Sequence, residues 1–121
     1  MHPQRMVRFV QKWFAEWEPE PPRFGRATQL LNCLIEERPD EAWERILALI
    51  SQAREESLCY VAAGPLEDLL SEHGPLIIAR VEAAATTDSR FAICLAGVWG
   101  HTRFEPSVYA RIQHIVHATQ A

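Results

Sequence analysis

A chain of 121 residues, 48% of them hydrophobic and 23% charged, has the composition of one globular domain that is large enough to bury a core without disulfides. No apolar run approaches the roughly 20 residues that span a bilayer, and the N-terminus lacks the apolar core of a secretion signal, so a cytoplasmic location without a membrane partner is the default expectation. The net charge is −4, and residues 36–72 carry ten acidic residues against three arginines, which disfavours nucleic-acid binding.

The first predicted helix occupies residues 1–17 and is amphipathic. Its apolar residues recur at steps of three and four, the period of one helix face. They are Met6, Phe9, Val10, Trp13, Phe14 and Trp17. The proline-rich segment 18–25 ends this helix, because proline has no amide proton and restricts the residue before it. We expect the helix either to dock on its own helical body, residues 26–121, or to pack through Trp13 and Trp17 against a partner or a second copy.

The later helices are delimited mainly by proline and glycine, which suit the first turn and the end of a helix respectively. The predicted helices are about 26–37, 39–54, 56–63 and 65–73, followed by helices that begin at Pro75, near Ser89 and at Pro106. No segment shows sustained alternation with period two, so no strand is expected. The sequence therefore predicts one all-α domain over residues 1–121. We expect a compact irregular array of about seven or eight short helices, with helical hairpins packed in a HEAT-like manner.

Two features of the middle of the chain predict caps and corners. Gly64-Pro65 lies inside a dense apolar segment and predicts a corner between two short helices. With Gly64 as the cap, Glu67 occupies the third helical position, where a glutamate side chain can bind the backbone amide of the cap residue. A catalytic or cation-binding pair of Glu67 and Asp68 is disfavoured, because neighbouring residues on a helix point about 100° apart. His73, followed by Gly74, is expected to cap the end of its own helix.

An ordered set of short motifs carries a family resemblance. They are Ala62-Ala63-Gly64-Pro65-Leu66-Glu67-Asp68-Leu69-Leu70, His73-Gly74, Arg90-Phe91 and Leu95-Ala96-Gly97-Val98-Trp99. The chain resembles a family of uncharacterised bacterial domains with the signature A-G-P-L-E-D-L-L…H-G…R-F…L-x-G-V-W, over roughly residues 40–117. The resemblance implies a bacterial origin and a small helical domain. It brings no known activity and no catalytic residues.

The large and sulfur-containing side chains favour structural roles. Trp43 and Trp99 lie on strongly apolar helix faces and are expected in the core. Three cysteines are odd in number and widely spaced, so a disulfide framework is not expected. Their neighbours are apolar, which predicts reduced, buried residues at Cys33, Cys59 and Cys94.

The chain offers one weak candidate for a metal site. His114 and His117 are three residues apart on the last helix, and a third ligand could come from His101, Glu105 or Cys94. No acid lies between the histidines as in H-E-x-x-H, and nucleophile-elbow and phosphate-loop motifs are absent. We therefore predict no metal, no cofactor, no catalytic residues and no enzymatic activity.

These observations favour a bacterial protein-binding domain that acts through an acidic helical surface on a basic protein partner. One concrete version is an immunity or antitoxin protein that covers the basic active site of a toxin. The predicted partner-binding residues are Glu36, Glu37, Asp40, Glu41, Glu44, Trp13 and Trp17. The alternative is a small-ligand or metal-binding helical domain with a pocket near the Gly64-Pro65 corner. Homo-oligomerisation through the N-terminal helix is compatible with either function.

Overall fold

The computed structural model describes the backbone of residues 3–98, 100 and 102–120. Seven α-helices follow one another: α1 (Pro3–Trp17), α2 (Arg26–Glu37), α3 (Pro39–Gln52), α4 (Leu58–Val61), α5 (Glu67–Thr87), α6 (Ser89–Ala96) and α7 (Pro106–Gln120). A 3-10 turn (Glu55–Ser57) precedes α4, and a π turn (Ala62–Leu66) joins α4 to α5. The described residues contain no strand, which confirms the predicted all-α fold. None of their helices is both long and apolar enough to cross a lipid bilayer.

The predicted corner at Gly64-Pro65 is wrong. The chain runs from α4 through the π turn into α5 without a break, and the residues on either side of the turn, Val61 and Glu67, have helical dihedral angles. Proline cannot donate the hydrogen bond to the carbonyl four residues back, and the wider spacing of a π turn accommodates its ring. Counted with α4, the π turn and α5 as one continuous helix, the described chain has six helices rather than the seven or eight predicted.

The chain does bend about two turns later, at His73. This residue has φ −134° and ψ 27°, outside the helical region, and Gly74 and Pro75 follow it. The residue pair predicted to separate two helices therefore produces a kink within α5. The kink allows the two halves of α5 to follow different directions while remaining one connected helix.

Helix α5 is the centre of the domain. It contacts α2 and α3 as well as α6 and α7, while α1 packs on α2 and α3. The residues of α5 that face this core are almost fully buried and mostly aliphatic. They are Leu69, Leu70, Ile77, Ile78, Val81 and Ala85. In the same core, Trp43 is 6% exposed, as predicted, and it packs edge-on against Phe91, whereas Trp99 lies outside the described residues.

Helix α1 docks on its own body through an aromatic cluster. The ring of Trp17 stacks on Trp13 at 4.7 Å and contacts Phe24, also at 4.7 Å between ring centroids. The far edge of the Trp17 ring lies against the π turn, where a Cβ on Gly64 would be 2.9 Å from Trp17 Cη2. Gly64 is therefore required because it allows an indole ring to approach the helix backbone.

We predict that Gly64→Ala destabilises the domain although alanine favours helices. The added methyl group overlaps the Trp17 ring, which cannot swing away because it is held between two other rings. Overpacking costs about 1–3 kcal/mol, more than the gain of about 0.5–1 kcal/mol from helix propensity. Urea denaturation should therefore show a loss of about 1–2 kcal/mol in the free energy of unfolding.

The exposed neighbour provides the control: Ala63→Ser should stay within about 0.5 kcal/mol of the wild type. A double-mutant cycle tests the cause, because Gly64→Ala should be neutral or stabilising when Trp17 is replaced by the smaller phenylalanine. An equal loss in both backgrounds would mean that the indole ring is not the reason for the glycine.

Candidate functional site

The acidic residues predicted to bind a partner lie where α2 ends and α3 begins. All five carboxylates, those of Glu36, Glu37, Asp40, Glu41 and Glu44, belong to exposed residues. We call these five residues the acidic surface. Two of them are paired in the structure. Asp40 accepts a hydrogen bond from Arg80 at 2.7 Å, and Glu41 accepts one from Arg38 at 3.2 Å. Within the described residues, the other three form no ion pair.

A crevice extends the acidic surface from α2 to α5. Glu36 lines a cavity of about 200 Å³ together with Asp68 and Glu72 of α5, and Arg103 closes one side. Asp68 and Glu72 are one helical turn apart on α5, but Glu36 belongs to α2, so helical periodicity alone could not bring all three carboxylates together. Asp68 and Glu72 are therefore site residues that the sequence analysis missed.

Arg103 binds two adjacent carboxylates, which corrects the predicted role of Glu67. One guanidinium nitrogen donates to Glu67 Oε2 at 2.7 Å, and the other terminal nitrogen donates to Asp68 Oδ1 at 3.0 Å. These hydrogen bonds, first that to Asp68, raise the pKa of Arg103 against the effect of its burial. Residues that diverge on a helix can still meet a planar guanidinium, because its donors are spread over a fork. Glu67 thus anchors the α6–α7 connection and is not a reciprocal cap to Gly64.

His73 caps a different helix from the predicted one. Its Nε2 lies 2.7 Å from the carbonyl oxygen of Ile35, in the last turn of α2. A carbonyl oxygen can only accept, so Nε2 carries the proton and donates. The last carbonyls of a helix have no partner within it, and the imidazole satisfies one of them. His73 does not lie at the end of its own helix, which continues through the kink to Thr87, and its imidazole contacts α2.

The two tryptophans proposed as partner-binding residues are occupied inside the domain. Trp13 is 1% exposed and belongs to the core. Trp17 is half-buried, and its Nε1 donates to Thr28 Oγ1 at 2.9 Å. Because these side chains already pack against α1's own neighbours, the structure does not present them as an interface for a partner or a second copy. The first of the two arrangements left open by the sequence, docking on the helical body, is the one observed.

Glu16 holds the start of α2 and was not recognised from the sequence. Its two carboxylate oxygens accept hydrogen bonds from the backbone amides of Gly25, Ala27 and Thr28 at 2.7–2.9 Å, and from Thr28 Oγ1 at 2.7 Å. Burial raises the pKa of Glu16, but the hydrogen bonds from Thr28, Ala27 and Gly25 outweigh it, so the pKa lies below its ordinary value. A carboxylate from one helix thus caps the N-terminus of the next, where the dipole favours negative charge.

The proline-rich segment is held against the body at a second point. Glu18 Oε2 accepts hydrogen bonds from Ser57 Oγ at 2.6 Å and from Arg54 Nη2 at 3.1 Å. Ser57 belongs to the 3-10 turn before α4 and is 1% exposed. The segment that the sequence analysis treated as a linker is therefore fastened at both of its ends, by Glu16 and by Glu18.

The candidates for a metal site do not form a ligand set among the described residues. His114 and His117 are exposed, and the described residues contain no group of three or more histidine, cysteine or acidic side chains placed to hold a metal ion. His101, a candidate third ligand, lies outside the described residues. At the Gly64-Pro65 position, where a ligand pocket was proposed, the Trp17 ring occupies the space beside Gly64.

The cysteines differ from the prediction in two of three cases. All three are free thiols, but Cys33 and Cys59 are exposed, and only Cys94 is buried. Burial raises the pKa of the Cys94 thiol to about 12. Apolar sequence neighbours misled the prediction, since on a helix the residues next to a buried position point in other directions.

A protein-family model described as "Family of unknown function (DUF6869)" matches residues 16–120. The chain belongs to this family. The DUF6869 match extends further towards the N-terminus than the roughly 40–117 estimated from the motifs, and it begins at the residue that caps α2. Comparisons with curated proteins and with solved structures found no match. The first part of α1, residues 3–15, lies outside the family match.

We predict that Glu16→Gln weakens the domain in a pH-dependent way. An amide oxygen cannot replace two carboxylate oxygens that accept four hydrogen bonds, so unfolding at neutral pH should require about 1–2 kcal/mol less free energy. The folded-state pKa of Glu16 is lower than the ordinary value of 4.5, so its stabilisation is complete above that value and is lost as the pH falls through the folded-state pKa. The difference between wild type and variant should therefore shrink on acidification.

Denaturation curves at a series of pH values measure this difference, and Glu20→Gln, an exposed acid in the same segment, is the control. The control should behave like the wild type throughout. A wild-type advantage that is independent of pH would show that the charge of Glu16 is not what holds α2.

The cysteine burial predicts a two-step thiol titration. A soluble aromatic disulfide reagent should modify Cys33 and Cys59 rapidly in the folded protein, and Cys94 only after denaturation, because its thiol is buried and has a raised pKa. The double variant Cys33→Ser/Cys59→Ser should be unreactive until it unfolds. Rapid reaction of a third thiol in the folded wild type would contradict the packing around α6.

Proposed function

We propose that this domain is a non-enzymatic protein-binding domain whose acidic surface binds a basic partner. The observation that carries the proposal is the set of exposed, unpaired carboxylates of Glu36, Glu37 and Glu44 among the described residues, joined to the acidic crevice through Glu36. Carboxylates that are neither buried nor matched by a neighbouring cation attract a positively charged partner and accelerate its encounter.

The acids come from two adjoining helix ends. Glu36 and Glu37 lie in the last turn of α2, and Asp40, Glu41 and Glu44 lie at the start of α3, after the non-helical residue Arg38. Carboxylates grouped on two adjoining helices allow more than one basic side chain of a partner to bind at once. Two arginines already lie at the edge of the acidic surface, and they are free to exchange partners because both are exposed.

Other titratable side chains already form contacts within the fold, which supports a protein-binding function and not a catalytic one. Glu67 and Asp68 hold Arg103, His73 holds a carbonyl of α2, and Glu16 holds the start of that helix. A catalytic site needs nucleophile, base and electrostatic stabiliser to converge on one reacting atom. In the described part of the chain these groups serve three separate helix contacts.

The proposed setting is the bacterial cytoplasm, on the strength of the motif resemblance and of three cysteines that remain free thiols. An immunity or antitoxin protein is the version that best fits a small acidic domain, because such a protein covers the basic substrate-binding surface of a toxin. In this version the acidic surface occupies the toxin site that otherwise binds a polyanion.

The charge variant Glu36→Gln/Glu37→Gln/Glu44→Gln tests the proposal. Immobilised wild-type domain should retain a basic protein from a lysate of its source bacterium at low salt and release it at high salt. The variant should bind the isolated partner at least about tenfold more weakly, since three exposed ion pairs of up to about 1 kcal/mol each are lost.

The matched control, Glu20→Gln/Glu55→Gln/Glu105→Gln, removes the same charge from exposed positions elsewhere and should retain the partner. Failure to capture any basic protein, or equal binding by the two variants, would contradict the proposed role of the acidic surface. Thermal denaturation of both variants checks that neither has lost its fold.

A further inference from the structure

A second charged surface, of opposite sign, lies on α1. Arg5, Arg8 and Lys12 are spaced by three and four residues, so they occupy one face of the helix. All three are exposed, and no described acidic residue forms an ion pair with any of them. These cations repeat along α1 with the same helical period as its buried residues, but they lie on a different side of the helix.

These three residues form one wall of a groove between α1 and α2, which we call the basic groove. Arg26, at the start of α2, and Arg45, on α3, complete its cationic lining. The groove has a volume of about 290 Å³, and no acidic residue lines it. Five cations from three helices thus converge on one concave surface of a domain whose net charge is −4.

Arg45 is held over the floor of this groove. Its Cζ lies 4.7 Å from the centroid of the Phe9 ring, within the range of a cation–π contact. Its Nε is buried and has no hydrogen-bond partner among the described atoms. Burial lowers the pKa of Arg45, and the charge of Glu41 offsets this only in part. The guanidinium is therefore partly desolvated without a full set of partners, a condition that favours an incoming anion.

The floor of the basic groove is apolar. Phe9, Ala27 and Leu30 form it, and Leu30 is 43% exposed although it is a large aliphatic residue. A ligand that fits this surface carries hydrocarbon next to its negative charges. An aliphatic side chain between two carboxylates has this property, whereas a phosphate backbone places charge alone against the groove.

We propose that the basic groove binds an acidic peptide segment of a partner protein, with carboxylates on the arginines and lysine of the rim and an aliphatic side chain on Leu30. The distance along α1 from Arg5 to Lys12 is about 10 Å, which equals two turns of a helix. Acidic residues at i, i+4 and i+7 of a bound helix would therefore align with the three cations of α1.

Charge and size favour a short peptide over larger polyanions. A nucleic acid or an anionic membrane would also approach the acidic surface of a domain with net charge −4, and the resulting repulsion opposes binding. A cavity of about 290 Å³ accommodates a few side chains and leaves a duplex or a lipid layer mostly outside.

The test uses a fluorescein-labelled synthetic peptide of about 14 residues, with glutamate at i, i+4 and i+7, leucine at i+3, and alanine or glutamine elsewhere. Fluorescence anisotropy with the full-length chain should show saturable binding that weakens with salt. A peptide with glutamine in place of each glutamate should not bind, and one with serine in place of leucine should bind more weakly.

Arg8→Gln/Lys12→Gln should weaken binding of the acidic peptide at least about tenfold, because both exposed side chains lose a charge-assisted hydrogen bond. Arg26→Gln, on the other wall, should weaken it as well and is a second, independent variant. Arg23→Gln/Arg111→Gln removes the same charge from exposed positions outside the groove and should leave binding unchanged.

Four outcomes would overturn the proposal. They are a dissociation constant above about 1 mM for the acidic peptide, equal binding of the glutamine peptide, equal or tighter binding of a labelled single-stranded DNA or of phosphatidylserine vesicles, and a wild-type dimer in light scattering that Arg8→Gln/Lys12→Gln dissociates. The last would mean that a second copy occupies the groove. None of these outcomes depends on whether the acidic surface binds a basic protein.

Discussion

The contact between the Trp17 ring and the backbone at Gly64 joins the first helix to the middle of the chain. It exists only because residue 64 has no side chain and because the ring is fixed between Trp13 and Phe24. The Glu16 carboxylate, one residue earlier, binds the start of α2 and so fixes the direction in which the chain leaves α1. Together these contacts make α1 part of the body.

This docking determines how charge is distributed over the surface. With its aromatic face buried, α1 presents its cations beside α2 and α3, while the acids at the α2–α3 junction lie together with those of α5. Opposite charges on one small domain give it an electrostatic polarity that a net charge of −4 does not reveal. Such polarity orients an approaching partner before contact, which increases the rate of productive encounters.

The helix boundaries that depend on neighbouring residues could be predicted from the sequence. Pro39 begins α3 as expected, and the Asp88 side chain accepts a hydrogen bond from the Arg90 amide at the start of α6. Several features that were missed depend on contacts between distant residues. The close packing of the Trp17 ring on Gly64 joins two separate parts of the chain, and the role of Glu16 depends on amides 9–12 residues away.

The candidate sites, too, could be predicted only where they depend on residues that are close in the sequence. The five acids of the acidic surface and the spacing of the α1 cations are visible in the sequence, since each set lies on one or two adjacent helices. Their completion by Glu72 or by Arg45 is not visible, because it depends on which helices pack together. Local periodicity assigns a residue to a face, and only tertiary packing decides what that face meets.

The π turn also determines the directions in which the side chains of α5 point around the helix axis. A π turn contains one residue more than an α turn, and each residue of an α-helix advances the side-chain direction by about 100°. The inserted residue therefore determines that Leu69 and Leu70 face inward while Glu67 and Asp68 reach Arg103. The number of residues between α4 and α5 is thus as much a determinant of this fold as the identity of its apolar residues. A relative that is one residue shorter here would need a compensating insertion before the kink to keep the same residues in the core.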